Sequence, residues 1–141
     1  MSTIVIPGGT RGLGLGLARA LVERGHQVMV CGNDPGRVRA AGVAARVADV
    51  ADRGRLQELR DSAVGAYGRV DVWINNAGVS HVREPAWRLP ADEARQVVDV
   101  NLVGVLNGCA VAIGGVAAQG GGHVGNMEGL GTDRRGWRTG W

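Results

Sequence analysis

The sequence predicts an α/β fold in which a parallel β-sheet is covered by helices on both faces. Short apolar runs alternate with amphipathic stretches of helical length along the chain, a pattern typical of βαβ units. The run Val70–Ile74 is apolar apart from Asp71, as expected for a strand that is buried on both faces. The 141 residues show no internal repeat and no interdomain linker. We therefore expect one domain over residues 1–132, followed by an irregular tail over residues 133–141.

Each predicted element rests on its own pattern of apolar residues. The predicted strands are short apolar runs bounded by turn residues, at 3–6, 27–31, 43–48, 70–74 and 123–127. The predicted helices carry apolar residues at helical spacing, at 12–24, 35–41, 52–66 and 92–118. In the longest helix the apolar residues form one stripe: Ala94, Val97, Val98, Leu102, Val105, Cys109, Ile113 and Val116.

Composition and charge argue against several classes of function. The net charge of +3 is too small and too dispersed to indicate nucleic-acid binding. We find no apolar run near the roughly 20 residues that cross a bilayer, and the first residues lack signal-peptide features. No membrane span and a cytoplasmic location are therefore expected. Cys31 and Cys109 lack metal-ligand spacing, which predicts small buried thiols rather than a metal site or a disulfide.

A glycine-rich turn joins the first predicted strand to the first predicted helix. The first backbone N–H groups of such a helix are unpaired, and with the helix dipole they bind a pyrophosphate when no side chain blocks its approach. Glycines at positions 8, 12 and 14 would supply the tight turn, the open face and close helix packing. The alternative is a tight turn without a ligand. We predict a dinucleotide site formed by this segment: Gly8, Gly9, Thr10, Arg11, Gly12, Leu13 and Gly14.

Four ordered motifs resemble those of the short-chain dehydrogenase/reductase family. They are Gly8-x-x-x-Gly12-x-Gly14, Asp49-Val50, Asn75-Asn76-Ala77-Gly78 and Asp99-Val100-Asn101-Leu102. The resemblance implies a Rossmann-type doubly wound parallel sheet, truncated after about five strands in the order 3-2-1-4-5. It also implies an NAD(P)-dependent oxidoreductase that acts on a small carbonyl or alcohol substrate, without a metal ion, and a homo-oligomer for a full-length form.

The resemblance also assigns roles to individual residues. It implies that the cofactor groove is lined by residues that follow strands three and four: Asp49, Val50, Asn76, Ala77 and Gly78. Taken alone, Asp49 is more typical of a helix cap, a role for which Asp52 competes. Asn75 is interpreted as an amide that ties adjacent strands together. The resemblance implies that Asn101 is the catalytic-site asparagine, which in the family bends the helix and holds a water in a proton relay. Without the resemblance, Asn101 would be interpreted as a satisfied polar residue of the core.

The choice between NADP and NAD depends on the charge near the ribose 2′ position. NAD-selective sites place an acidic residue at the tip of strand two, where this chain has Gly32. Arg11 can reach the same place with a guanidinium suited to phosphate, and Asn33 would be a neutral donor beside it. Asp34 argues for NAD, but its position before Pro35 favours a helix cap. We therefore expect NADP, with NAD as the alternative.

The residues that would complete catalysis are not found in this sequence. The family uses a Tyr-x-x-x-Lys pair and a serine, whereas this chain has one tyrosine, Tyr67, and no lysine. The segment after the last predicted strand resembles the chlorophyll b reductase branch, which would place Thr132 at the serine position; a simple loop hydroxyl is the alternative. The composition of residues 133–141 suggests a frameshift or a truncated gene.

The sequence is compatible with three functions: an oxidoreductase whose remaining half is absent, a non-catalytic dinucleotide-binding module, and an inert gene fragment. We also expect an open sheet edge, an exposed apolar helix face and, as a consequence, association.

Overall fold

The computed structural model describes residues 1–80 and 84–128, in which strands and helices alternate as the sequence predicts. The strands are β1 (Thr3–Pro7), β2 (Gln27–Gly32), β3 (Ala44–Val47), β4 (Val72–Asn75) and β5 (His123–Asn126). The helices are α1 (Gly12–Glu23), α2 (Pro35–Ala40), α3 (Arg53–Tyr67), α4 (Ala91–Val98) and α5 (Gly104–Ala118), with a 3₁₀ turn at Ala86–Arg88 and a π turn at Asp99–Val103. Residues 129–132 of the predicted domain and the predicted tail lie outside the described residues.

All strand pairs of the sheet are parallel, in the order β3-β2-β1-β4-β5. This confirms the predicted fold class and strand order. From β1 the chain builds outward through β2 to β3, then crosses back to place β4 on the other side of β1. The switch in direction falls between β1 and β4, and α/β sheets bind ligands at such points, outside the carboxyl ends of the strands. Within the described residues, β5 pairs only with β4.

Two apolar layers cover the faces of the sheet. Because successive side chains of a strand point to opposite faces, Val5 of β1 packs with Trp73 and Leu56 on one face. Ile4 and Ile6 pack on the other face, against α1. Helices α3 and α5 contact each other over the first layer. Strand β1 is therefore the centre of the sheet, and the switch point lies between it and β4.

The buried face of α5 differs from the predicted stripe. Val98, Leu102 and Ile113 of that stripe are 50%, 56% and 55% exposed, so the stripe is not the side of the helix that packs on the sheet. Apart from Val111, the buried residues of α5 are small or polar: Gly104, Asn107, Gly108, Ala112 and Gly115. Small residues allow the helix to approach the sheet closely, and the π turn at Asp99–Val103 rotates α5 relative to α4. Apolar periodicity detects neither effect.

The continuous helical segment formed by α4, the π turn and α5 meets the length and composition criteria for a membrane span. This segment, Ala91–Ala118, comprises 28 residues and is apolar over most of its length. This finding corrects the expectation that no apolar stretch is long enough. It does not show a membrane span, because a core helix of a globular domain passes the same test, and α5 packs on α3, β4 and β5.

Candidate functional site

A cleft of about 360 Å³ opens at the carboxyl ends of the strands, within the size range of small-molecule sites. Its walls come from the glycine turn, the tip of β2, the end of β3, the segment after β4 and the α4–π turn region. The lining residues are Gly8, Thr10, Arg11, Gly12, Leu13, Gly14, Gly32, Asn33, Arg37, Ala48, Asp49, Val50, Asn76, Ala77, Gly78, Val79, Gln96 and Val100. Every residue predicted from the sequence to bind the cofactor is among them except Gly9.

Three glycines of the turn have three different environments. Gly8 has a φ of +79°, and a Cβ there would lie 2.5 Å from the Cα of Ala77. Gly12 has a φ of +54°, and a Cβ there would have no atom within 4 Å. A Cβ on Gly14 would overlap the amide of Asn76. Gly8 therefore supplies the tight turn, Gly12 the open surface and Gly14 the close packing, as the spacing of the motif predicts.

The turn also packs tightly on β2. Gly9 lies outside the cleft, because its α-carbon faces Val30: a Cβ there would be 2.6 Å from Cγ1 of that residue. Thr10 is 7% exposed, and its hydroxyl occupies the space where a Cβ on Gly32 would lie. A longer side chain at position 32 would have to displace Thr10. The packing of Thr10 therefore favours glycine at the tip of β2.

Helix α1 begins with free backbone donors at the cleft. Its first i→i−4 hydrogen bond runs from the amide of Leu15 to the carbonyl of Arg11, at 3.2 Å. The amides of Gly12, Leu13 and Gly14 precede that bond, and all three residues line the cleft. The Arg11 side chain makes no capping hydrogen bond, and no acidic residue stands in the first turn. The positive end of the helix dipole is therefore not neutralised by the helix itself.

Asp49 and Asp52 follow β3 and have different roles. Oδ1 of Asp52 accepts from the amide of Arg55 at 3.1 Å and caps α3. Oδ1 of Asp49 accepts from the amide of Ala51 at 2.9 Å, and the exposed Asp49 lines the cleft. Because Asp52 takes the cap, Asp49 keeps its second carboxylate oxygen for other partners.

Two adjacent asparagines end β4 and point in opposite directions. Nδ2 of Asn76 donates to the carbonyl of Gly8 at 2.9 Å, which fastens β4 to the glycine turn. Asn75 is 5% exposed; its Oδ1 accepts from Nε1 of Trp73 at 2.8 Å, and its Nδ2 donates to Oδ1 of Asn126 at 2.9 Å. Since Asn126 belongs to β5, the prediction that Asn75 ties adjacent strands is confirmed.

Asn101 lies in the π turn and holds the segment that follows β4. Its Oδ1 accepts from the amide of Val79 at 2.9 Å, and its Nδ2 donates to the carbonyl of the same residue at 2.8 Å. The helix departs from α geometry around Asn101, as the resemblance implied. The residue is exposed, so the alternative of a core polar residue is wrong. It borders the cleft through Val79, which lines it.

Two arginines stand near the tip of β2, one of which the sequence analysis missed. Arg37 lines the cleft together with Arg11, Gly32 and Asn33. The sequence shows that Arg37 closely follows the tip of β2, but α2 has only six residues, too few for their periodicity to show that Arg37 faces the cleft. Asp34 caps α2: its Oδ1 accepts from the amide of Arg37 at 3.0 Å. That hydrogen bond lowers the pKa of Asp34, and Asp34 is absent from the cleft lining.

The family model described as short chain dehydrogenase matches residues 2–134. The chain belongs to the short-chain dehydrogenase family. It is 38% identical over 121 residues to 3β-hydroxysteroid dehydrogenase 1 of Eggerthella lenta, an alignment that covers 79% of this chain and 46% of the relative. It is 30% identical to a chloroplastic chlorophyll(ide) b reductase of Oryza sativa subsp. japonica, with 94% of this chain and 42% of the relative covered.

Among solved structures, levodione reductase superposes with a TM-score of 0.82 at 27% identity, over 92% of this chain and 57% of that chain. This short-chain dehydrogenase spans less than half the length of each of the two curated relatives named above. Members of the family are NAD(P)-dependent oxidoreductases that act on small molecules, and the relatives matched here are dehydrogenases and reductases.

Other residues of interest lie away from the cleft or outside the described part. Tyr67 is the last residue of α3 and packs on the core, at the sheet edge opposite the cleft. Thr132 lies outside the described residues. Cys31 is buried as predicted, and burial raises its pKa to about 12. Cys109 is only half-buried, since it sits at the margin of the α5 face that packs on the sheet.

Proposed function

We propose that this chain binds the adenosine half and the pyrophosphate of NADP(H), as the amino-terminal half of a short-chain oxidoreductase acting on a carbonyl or alcohol group. The observation that carries the proposal is the charge arrangement of the cleft. Arg11 and Arg37 both line it beside Gly32, where an NAD-selective site would hold an acid.

The shape of the cleft fits the adenosine diphosphate part of the cofactor. The amides of Gly12, Leu13 and Gly14 precede the first hydrogen bond of α1, and unpaired amides at a helix start bind phosphate groups. Open space next to Gly12 leaves room for the pyrophosphate. The free oxygen of Asp49 would accept from the adenine amino group, and Val50 would pack beside the ring.

The preference for NADP follows from attraction and from exclusion. A guanidinium binds a phosphate through charge-assisted hydrogen bonds, and two arginine residues line the cleft here. An acidic side chain at position 32 would repel a 2′-phosphate. This chain has no room for such a side chain, because Thr10 fills the space beside Gly32. Asp34 is engaged as the cap of α2. These contacts favour a 2′-phosphate over a free 2′-hydroxyl.

Calorimetry with adenosine 2′,5′-bisphosphate and adenosine 5′-monophosphate tests this preference, since the pair differs only in the 2′-phosphate. We expect the bisphosphate to bind about tenfold more tightly to the wild-type chain, because a charge-assisted contact contributes more than a neutral one. Arg11→Ala and Arg37→Ala should each remove about threefold or more of that difference and leave the monophosphate affinity unchanged. Arg39→Ala is the matched control, because Arg39 is an exposed residue of α2 that does not line the cleft. Equal affinities for the two ligands would favour NAD instead.

The sequence also predicts binding without turnover. Its 141 residues include one tyrosine, Tyr67, and no lysine, so the acid–base pair of the family is not found in them. We expect no oxidation of NADPH above a blank when the purified chain is mixed with small aldehydes. Turnover above the blank would contradict this part of the proposal, whereas ligand binding alone would support a dinucleotide-binding module.

A further inference from the structure

Asn107 is a buried polar residue of α5 that the cofactor contacts proposed above do not use. The residue is 6% exposed. Its Nδ2 donates to the carbonyl oxygens of Val50 and Ala51, both at 3.1 Å, and its Oδ1 accepts from Nε of Arg53 at 3.2 Å. All three partners lie in the segment that leads from Asp49 into α3. One side chain of α5 thus binds this segment at three points.

The chemistry of the partners fixes the orientation of the amide. Carbonyl oxygens only accept hydrogen bonds and a guanidinium only donates them. The NH₂ group of Asn107 must therefore face Val50 and Ala51, and its oxygen must face Arg53. A buried amide with partners on both ends is costly to disturb, because each lost bond leaves a buried polar group unpaired.

Ala51 connects Asn107 to the carboxylate of Asp49. The carbonyl of Ala51 accepts from Asn107, and the amide of Ala51 donates to Oδ1 of Asp49 at 2.9 Å. The helix is also in close contact with this segment, since a Cβ on Gly104 would lie 2.6 Å from Cγ2 of Val50. The position of the carboxylate therefore depends on α5 as well as on β3.

We infer that Asn107 is a positioning residue for recognition of the adenine base. By holding the segment from Asp49 to Ala51 against α5, it fixes one carboxylate oxygen of Asp49 and directs the other towards the amino group of the base. The inference rests on the proposed function, in which Asp49 accepts from adenine. If this inference holds, Asn107 affects how well the chain distinguishes an amino group from a carbonyl group on the base, although Asn107 does not contact the ligand.

Titration of the full chain with adenosine 5′-diphosphate and inosine 5′-diphosphate tests the inference. The inosine ligand carries a carbonyl where adenine carries its amino group. We expect the wild-type chain to prefer the adenosine ligand about tenfold, in line with one hydrogen bond to a charged group. Asn107→Asp keeps the size of the side chain but cannot donate to the two carbonyls. It should weaken binding of the adenosine ligand about fivefold and leave the inosine ligand within about twofold of wild type.

Gln119→Glu is the matched control for Asn107→Asp. Gln119 follows α5, and its Nε2 donates to the carbonyl oxygens of Val70 and Gly121, at the end of the sheet opposite the cleft. The same chemical change there removes two donated bonds without touching the segment at Asp49. It should lower the free energy of unfolding and leave the ratio of the two ligand affinities unchanged.

The outcomes separate this inference from the proposed function. If the wild-type chain does not bind adenosine 5′-diphosphate, the proposed function fails. If it binds the adenosine diphosphate but does not prefer it to the inosine ligand, the proposed contact between Asp49 and adenine fails together with the inference. If the wild-type chain shows the preference and Asn107→Asp keeps the same ratio, the inference alone is overturned. Should Asn107→Asp not fold, Arg53→Met removes only the bond that orients the amide, at an exposed residue. It should lower the ratio about twofold, and an unchanged ratio in that variant would overturn the inference.

Discussion

Two glycines of α1 should respond to alanine in opposite directions. A Cβ on Gly16 would have no atom within 4 Å, so Gly16→Ala should raise the free energy of unfolding by about 0.5–1 kcal/mol through helix propensity. A Cβ on Gly14 would overlap the amide of Asn76 and lie 2.7 Å from the carbonyl of Gly8. Overpacking costs about 1–3 kcal/mol and the lost Asn76–Gly8 bond about 1 kcal/mol, against a propensity gain of about 1 kcal/mol, so Gly14→Ala should cost about 2 kcal/mol.

Urea unfolding followed by far-ultraviolet circular dichroism measures both variants under the same conditions. The two substitutions add the same methyl group two residues apart in one helix, so each is the control for the other. Gly14→Ala should also weaken binding of adenosine 5′-diphosphate, because Asn76 no longer holds the glycine turn. If Gly14→Ala is as stable as Gly16→Ala, the close packing of α1 on the end of β4 does not exist in solution.

Three further predictions concern single side chains. Asn75→Leu leaves the buried Nε1 of Trp73 unpaired and removes the bond to the exposed Asn126, so it should lower the free energy of unfolding by about 1–3 kcal/mol, measured by the same urea titration; no measurable loss would contradict its role in joining β4 to β5. The hydrogen bond from the amide of Thr3 holds the pKa of Asp71 below its ordinary value of 3.8. The resulting stability is present above that value and lost as the pH falls through the lowered pKa. Asp71→Asn should therefore be less stable than wild type at pH 7, and the difference should shrink below pH 3.8; a difference that grows in acid would refute this. Burial raises the pKa of Cys31 to about 12, so a thiol reagent at pH 8 should label only Cys109 in the folded chain, and rapid labelling of both would show that β2 opens.

The glycine turn and the strand order could be predicted because both depend on local rules. A parallel strand that leads into a helix requires glycine where the backbone approaches the next strand, and Gly8 and Gly14 meet that requirement against Ala77 and Asn76. The crossover rules for parallel sheets then leave few possible topologies. The sequence also placed Asp49 and Asn76 at the cleft, since the carboxyl ends of parallel strands share one edge of the sheet.

Arg37 and Asn107 could not be found by the same reasoning. Arg37 enters the cleft because α2 begins directly after the tip of β2, and a six-residue helix gives too little periodicity to show which side faces a ligand. Asn107 looks like a polar interruption on an apolar helix. Its partners, Val50, Ala51 and Arg53, are more than fifty residues away in the chain, so only the packed structure reveals the contact.

The orientation of α5 follows from contacts with small and polar residues more than from hydrophobicity. Asn101 must reach Val79 on one side of the cleft, and Asn107 must reach Val50 on the other. Both contacts need the helix close to the sheet, and Gly104 and Gly108 provide the space on the buried side. Turning that face inward places the larger apolar side chains outward: Leu102, Leu106 and Ile113 are 56%, 57% and 55% exposed. An apolar face of this kind favours association, and association of the chain remains a prediction. The apolar side chains of this helix are therefore exposed because its opposite side, which contacts both walls of the cleft, is the side that packs on the sheet.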